Sequence, residues 1–400
     1  MTSDLPQTPL LGTLRVALVT ETWPPEMNGV AMTVSRLVEG LRQRGHHVDV
    51  VRPRQKSDAT QSTSDVLVRG LPLPGYSGLQ FGLTANRQLR KLWQGTRPDV
   101  VHIVTEGPLG WSALWQANAL KLPVTSSYHT HFDGYSKHYN AGFIKPIVSG
   151  FLQRFHRRTL STMAPTRVIV DSLTQARVPG ARVLGRGVDT VLFDPARRSS
   201  ELRAAWGASD DSLVVTNVGR LAAEKNLKLA ARAFEAIRAA HPSARMVWVG
   251  DGPSRAALER SFPEHVFSGA KRGEELAAHY ASADIFLFPS LTETYGNVVP
   301  EAMASGLGVV AYRDAAAAEL IRDREQGLTV NAGDEDAFMA AACRMADDSK
   351  LLAQCRHAAR SRVEPITWAA VVAEFESILR AAANDELSAS IPPGIQPALT

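Results

Sequence analysis

The stretch Asp284-Ile-Phe-Leu-Phe-Pro-Ser-Leu-Thr-Glu-Thr-Tyr-Gly-Asn-Val-Val-Pro-Glu-Ala-Met-Ala-Ser-Gly306 reads as a strand, a tight loop and a helix in succession. The run from Asp284 to Pro289 is almost wholly apolar, as a parallel strand buried on both faces must be. Residues 297–305 read as the first turns of a helix, with Pro300 tolerable only near its start. Glu293 therefore sits in the loop and Glu301 one turn into the helix. Between them the backbone N–H groups of the Thr294-Tyr295-Gly296-Asn297 turn point outward without partners. Such a turn suits a ligand with a phosphate for the helix end and hydroxyl groups for the two acids. A nucleotide sugar is such a ligand. The plain alternative is two acids favouring the positive end of a helix dipole.

Working outward, the same strand–loop–helix–strand order opens both halves of the chain. In the first half it is Leu14–Thr20, the loop Glu21–Gly29, a helix to Arg44 and the strand His47–Arg52. In the second it is Leu213–Gly219, the loop Arg220–Asn226, a helix to Ala240 and the strand Ala244–Gly250. Strands alternating with helices imply parallel sheets, so the chain is read as two Rossmann-like, doubly wound α/β domains. Further strands are expected at Asp99–Val104, Val124–Tyr128, Arg167–Asp171, Val266–Ser268 and Gly308–Tyr312.

Composition agrees with this reading. At 400 residues, 44% hydrophobic and 21% charged, the chain is globular and long enough for two cores. No apolar run approaches a membrane span, and the amino terminus lacks a secretory pattern, so the cytoplasm is the expected compartment. The two cysteines, Cys343 and Cys355, offer neither a disulfide framework nor a metal quartet. Net charge is +4, but residues 1–200 hold 24 Lys and Arg against 13 Asp and Glu. A basic half suggests an anionic partner, a membrane surface or nucleic acid. No aromatic-studded basic motif or recognition helix supports nucleic acid. The segment Phe143–Arg158 joins Phe151, Leu152 and Phe155 to Arg154, Arg157 and Arg158. It reads either as a helix resting on the inner face of the membrane or as one facing its own core.

Other residues could carry chemistry. Arg220 and Lys225, in Gly219-Arg-Leu-Ala-Ala-Glu-Lys-Asn226, flank one loop and could close on a diphosphate, the arginine as a fork and the lysine as a point charge. Asn28-Gly29 precedes a helix start, where glycine admits close backbone approach. His129, His131 and Asp133 alternate along Ser127-Tyr-His-Thr-His-Phe-Asp-Gly134; a metal would need a fourth ligand that is not evident. Val249-Gly-Asp-Gly-Pro-Ser254 only partly matches a dinucleotide fingerprint.

Taken together, Glu293 and Glu301 resemble the E-x7-E motif, and Gly219 to Lys225 the G-R-x4-K motif, of retaining glycosyltransferase family 4, whose architecture is the two-domain GT-B fold. The resemblance covers about residues 14–380. It implies an enzyme that moves a hexose from a GDP- or UDP-linked donor to a membrane lipid or glycan without a metal or other cofactor. It assigns catalysis to His129, Arg220, Lys225 and Glu293. Donor binding falls to Gly29, Gly219, Asp251, Lys271, the turn Thr294–Val298 and Glu301, and acceptor contacts to Asn28, His131 and Asp133. Many family members carry Gly-Gly where this chain has Asn28-Gly29. The resemblance also implies an acceptor domain at 14–190, a donor domain at 191–365 and a last helix at 366–383 that packs back on the first domain. Residues 1–13 read as a flexible amino terminus, and 384–400, where Ser, Pro and Gly dominate without periodicity, as a disordered tail. A nucleotide-sugar 2-epimerase of the same fold, and a non-catalytic sugar-nucleotide binder, are the other two readings.

Overall fold

The structure, a computed structural model, describes residues 12–26, 28–55, 58, 64–72, 80–129 and 145–384, with side chains from 148 onward in the last segment. His131 and Asp133 lie outside the described residues, as do most of the amino terminus and of the tail.

Among the described residues the first domain is built on β1 (Arg15–Val19), β2 (His47–Pro53), β3 (Val66–Val68), β6 (Val100–Ile103), β7 (Val124–Ser127), β8 (Ser161–Ala164) and β9 (Ala181–Val183). A small hairpin, β4 (Gly70–Pro72) with β5 (Gln80–Gly82), stands apart. The second domain is built on β10 (Val214–Val218), β11 (Arg245–Val249), β12 (Val266–Gly269), β13 (Ile285–Phe288), β14 (Gly308–Tyr312) and β15 (Gly327–Val330). The strand orders are β3-β2-β1-β6-β7-β8-β9 and β12-β11-β10-β13-β14-β15, and every pairing in both sheets is parallel. Residues such as Val16, Val50, Val100, Val215, Phe286 and Val309 are wholly buried, consistent with helices covering both faces.

One expected strand is corrected. Arg167–Asp171 is not a strand but the start of the helix Arg167–Gln175, whose cap is Thr166 accepting from Ile169 N–H. The strand lies just upstream at Ser161–Ala164. Its polar residues hide it in the sequence, yet Ser161 and Thr162 are fully buried. Ser161 donates to the Gly180 carbonyl, and Thr162 joins Ser126 and Thr159 in a hydroxyl network. Satisfied in this way, hydroxyl groups sit in a core without penalty.

The last helix, Trp368–Ala383, packs on the first-domain helix Gly29–Gln43. Val371, Val372, Phe375, Ile378 and Leu379 share a buried cluster with Val34, Leu37 and Leu41. Glu376 ties the contact by accepting from Arg44, and Arg380 of its own helix holds the carboxylate in place. The segment between the domains is also clamped: Val188 N–H donates to the Ile366 carbonyl at 2.9 Å, and Arg360 donates to the carbonyls of Thr190, Phe193 and Ala304.

Phe151, Leu152 and Phe155 do not act as one face. In the helix Lys145–His156, Leu152 and Phe155 are buried, whereas Phe151 is 47% exposed. Adjacent helical positions point about 100° apart, so a neighbouring pair divides readily between core and surface.

Candidate active site

In each sheet the strand order reverses once, between β1 and β6 in the first domain and between β10 and β13 in the second. Loops leaving the carboxyl ends of strands at such a reversal diverge and leave a crevice. The four loops concerned hold most of the candidate residues.

In the second domain the loops after β10 and β13 are tied together. Leu291 N–H donates to the Glu224 carbonyl at 3.0 Å, and Asn217 Nδ2 to the Leu287 carbonyl at 2.7 Å. This lacing brings Lys225 onto Glu293: the ammonium pairs with the carboxylate and stands 5.9 Å from the centre of the Phe288 ring. Arg220, by contrast, keeps its guanidinium largely exposed, with Glu224 3.9 Å away. Two cations thus flank one loop, one paired and one open.

The turn between the two glutamates is set by Gly296, whose φ of +84° strongly favours glycine. Tyr295 does not reach outward; it is 6% exposed, sits in the core and has its hydroxyl pushed up to about 12 by burial. Among the described residues the N–H groups of Thr294, Tyr295, Gly296 and Asn297 donate to no carbonyl of the protein. Asn297 then opens the helix Val298–Ala304. Glu301 is held inside the domain, where Tyr280 donates to Oε2 at 3.0 Å. Burial pushes the Glu301 carboxyl up to about 7, and the Tyr280 bond only partly opposes it. Tyr280, fully buried beside that carboxylate, has its pKa raised well above the ordinary value and remains a donor.

Gly219 lies against the next loop so closely that a Cβ on Gly250 would collide with the Gly219 carbonyl. The Asp251 carbonyl accepts from Leu221 N–H at 2.9 Å. Its carboxylate is engaged by Gly252 N–H at 2.7 Å and by Arg255 at 3.2 Å, so this residue shapes the loop. Lys271 follows β12 at the same end of the sheet, with Glu275 3.9 Å from its ammonium.

The first domain supplies the opposite wall. Asn28 is the cap of the helix Gly29–Gln43: its Oδ1 accepts from Ala31 N–H at 2.8 Å and its Nδ2 donates to Thr22 at 2.7 Å. The side chain expected to meet an acceptor is therefore engaged within its own loop. Gly29 faces the second domain, where a Cβ added to it would stand 3.7 Å from Asn297 Nδ2. Thr294 Oγ1 donates to the His129 carbonyl at 3.0 Å, so the Glu293 loop touches the wall carrying His129. On the ring, Arg186 donates to Nδ1 at 3.1 Å.

Four residues of the site carry no signal of their own in the sequence: Glu21, His156, Arg186 and Tyr280. Glu21 closes the first-domain crevice: its carboxylate accepts from Leu109 N–H at 3.1 Å, and there is no room for a Cβ on Gly107 beside it. Burial, aided by repulsion from Glu106, pushes Glu21 up to about 7. His156 bridges Glu106 at 3.0 Å and Ser126 at 2.9 Å behind it. Arg186, at the start of Arg186-Gly-Val-Asp189 between the two domains, and Tyr280 belong to no motif read above. Elsewhere, Glu235, Glu264 and His265 have the spacing of a metal site. Arg238 pairs with both acids and Trp248 donates to the His265 ring, so the group is satisfied internally.

Two parallel sheets facing each other through their crevices, with cations on one loop and paired acids on the next, define a glycosyltransferase of GT-B architecture. The chain belongs to glycosyltransferase family 4. Residues 27–192 match Glycosyltransferase Family 4, and residues 212–348 match Glycosyl transferases group 1. Among its relatives is the GDP-mannose-dependent alpha-mannosyltransferase of Mycolicibacterium smegmatis, 33% identical over 92% of this chain and 98% of that protein. Another is the sulfoquinovosyl transferase SQD2 of Arabidopsis thaliana, 30% identical over 94% of this chain and 74% of that protein. Among solved structures, the sucrose-phosphate synthase of Thermosynechococcus elongatus superposes with a TM-score of 0.74 at 18% identity, over 93% of this chain and all of that one.

Proposed function

We propose that this glycosyltransferase moves mannose from GDP-mannose, with retention of configuration, to a lipid acceptor at the inner face of the membrane. The observation that carries the assignment is the pairing of Lys225 with Glu293 across laced loops, with Arg220 on the same loop as Lys225 and Thr294 reaching the His129 carbonyl. The near full-length similarity to a mannosyltransferase favours the donor. Arg220 and Lys225 take the diphosphate, whose negative charge grows as it departs. Lys225 then shares its pairing between Glu293 and phosphate, freeing carboxylate oxygens for the hydroxyls of the sugar. Glu301 accepts from the ribose. His129 meets the sugar from the opposite wall, and the N–H groups of the Thr294–Asn297 turn face the phosphates. The acceptor oxygen bonds the anomeric carbon on the face from which the diphosphate leaves, and its proton passes to the departing phosphate oxygen.

The surface supports a membrane acceptor. The helices Asn86–Gly95, Pro108–Ala119 and Lys145–His156 contain no Asp or Glu. Trp115 is 54% exposed beside Trp111, which also touches Phe151. Arg87, Arg90 and Lys91 on the first of these helices and Arg154 on the third are exposed. Aromatic rings beside cations that pair with no carboxylate among the described residues suit an anionic bilayer, at about 1 kcal/mol per basic residue.

The test supplies purified protein with GDP-mannose or UDP-glucose and membrane lipid, with and without EDTA. Mannolipid formation from GDP-mannose that survives chelation is expected. Transfer from UDP-glucose alone would reassign the donor. Donor conversion without any acceptor would favour the epimerase.

A further inference from the structure

Arg186 is an arginine only 5% exposed, in the segment joining the two domains. Among the described residues its guanidinium makes no ion pair with a carboxylate, and burial pulls it down to about 10. Desolvating a cation without a counter-ion is unfavourable unless its hydrogen bonds are used. Here one of them reaches His129 Nδ1 at 3.1 Å. A guanidinium can only donate, so Nδ1 must carry the lone pair. The proton of the neutral ring then resides on Nε2. That atom is itself buried and, among the described residues, has no partner.

Both ends of this contact are anchored. Gly187 lies so close to Trp368 that a Cβ there would strike its backbone, and Val188 bonds to Ile366. The return segment thereby fixes Arg186, while Thr294 holds the His129 carbonyl. The titratable neighbours are engaged elsewhere. His102 bonds to Thr125 and Ser127. His156 bonds to Glu106 and Ser126. Tyr295 is buried beside Arg186.

We infer that Arg186 is a positioning residue that fixes His129 as the Nε2–H tautomer, a neutral hydrogen-bond donor for an oxygen of the transferred sugar. The inference rests on the sugar-contact role given to His129 above. Burial and the Arg186 charge both keep the ring's pKa well below its usual value. The donor therefore stays neutral across physiological pH and does not compete with Arg220 and Lys225 for the diphosphate.

The test compares Arg186→Lys with Arg186→Gln. Lysine can only donate to Nδ1, whereas the glutamine amide can also accept from it and so permits the other tautomer. Full-length protein labelled with 15N-histidine would be followed by NMR, with His129→Gln used for assignment. The wild type and Arg186→Lys should show the Nε2–H pattern unchanged between pH 6 and 8.5, and Arg186→Gln a mixture. In turnover, Arg186→Gln should lose about ten- to a hundredfold in kcat, the range for one lost hydrogen bond to a charged group. KM for the donor should stay within about threefold, with Arg186→Lys partly rescuing kcat. An unchanged tautomer in a folded Arg186→Gln protein would overturn the inference. So would a GDP affinity falling in step with kcat, since Arg186 would then be a phosphate ligand. The NMR pattern needs no substrate, so failure of the donor assignment, seen as no binding of GDP or UDP, is read separately.

Discussion

Glu293 and Glu301 differ in surroundings, and so should their variants. Glu293 is partnered by a lysine in the crevice, whereas Glu301 is tucked against Tyr280. Glu293→Ala should abolish transfer while leaving GDP affinity within a few-fold, and Glu301→Ala should weaken GDP binding, both read by calorimetry and turnover. Unchanged turnover in both would sink the role assignment. The Glu301 carboxyl also gives a sign to pH dependence. Its pKa is raised to about 7 in the folded protein from an ordinary 4.5, so the folded state binds the proton more tightly. Its stabilising contribution is full below about pH 4.5 and is lost as pH rises through about 7. The melting temperature of Glu301→Gln relative to wild type should therefore rise between pH 5 and pH 8. Parallel melting profiles would show that the carboxyl is not desolvated as described. Both acids were legible in the sequence because their spacing is local. Tyr280 was not, since its role depends on a helix folding back over Glu301.

At the scale of elements, the contact between Gly29–Gln43 and Trp368–Ala383 is the most exposed to a test. Gly40 faces Val372 with no room for a Cβ. Gly40→Val should destabilise the protein by about 1–3 kcal/mol through overpacking. The drop would appear as a lower midpoint in urea, and Gly40→Val with Val372→Ala should recover part of it. An unchanged midpoint would mean that the helix is not seated as seen. The strands that sequence reading located, such as Gly308–Tyr312, are apolar runs between turn residues. Ser161–Ala164 was missed because its hydroxyls look like loop and are reconciled with burial only by partners on β7 and beyond.

For the whole molecule, the +11 balance of residues 1–200 does not all face outward. Arg44 meets Glu376, and Arg198 meets Asp284, both acids contributed by the second half. Among the described residues, Arg87, Arg90, Lys91 and Arg154 on the helices without acids are exposed and pair with no carboxylate. Binding to vesicles containing anionic lipid should thus weaken sharply between 0.05 and 0.5 M salt, since exposed charges are screened over about 10 Å at 0.1 M. Trp115→Ala should reduce the salt-resistant part. Binding in a co-sedimentation assay that ignores both changes would remove this face from consideration.

The two α/β domains and the loops carrying Arg220, Lys225, Glu293 and Glu301 are legible in the amino-acid sequence alone. Strand runs, loop glycines and motif spacing are local patterns, readable along one chain. Folding alone brings Lys225 onto Glu293 and Arg186 to His129, and engages Asn28 and Tyr295 within the protein. Those outcomes depend on desolvation and on contacts between segments tens to hundreds of residues apart, and no local pattern encodes either.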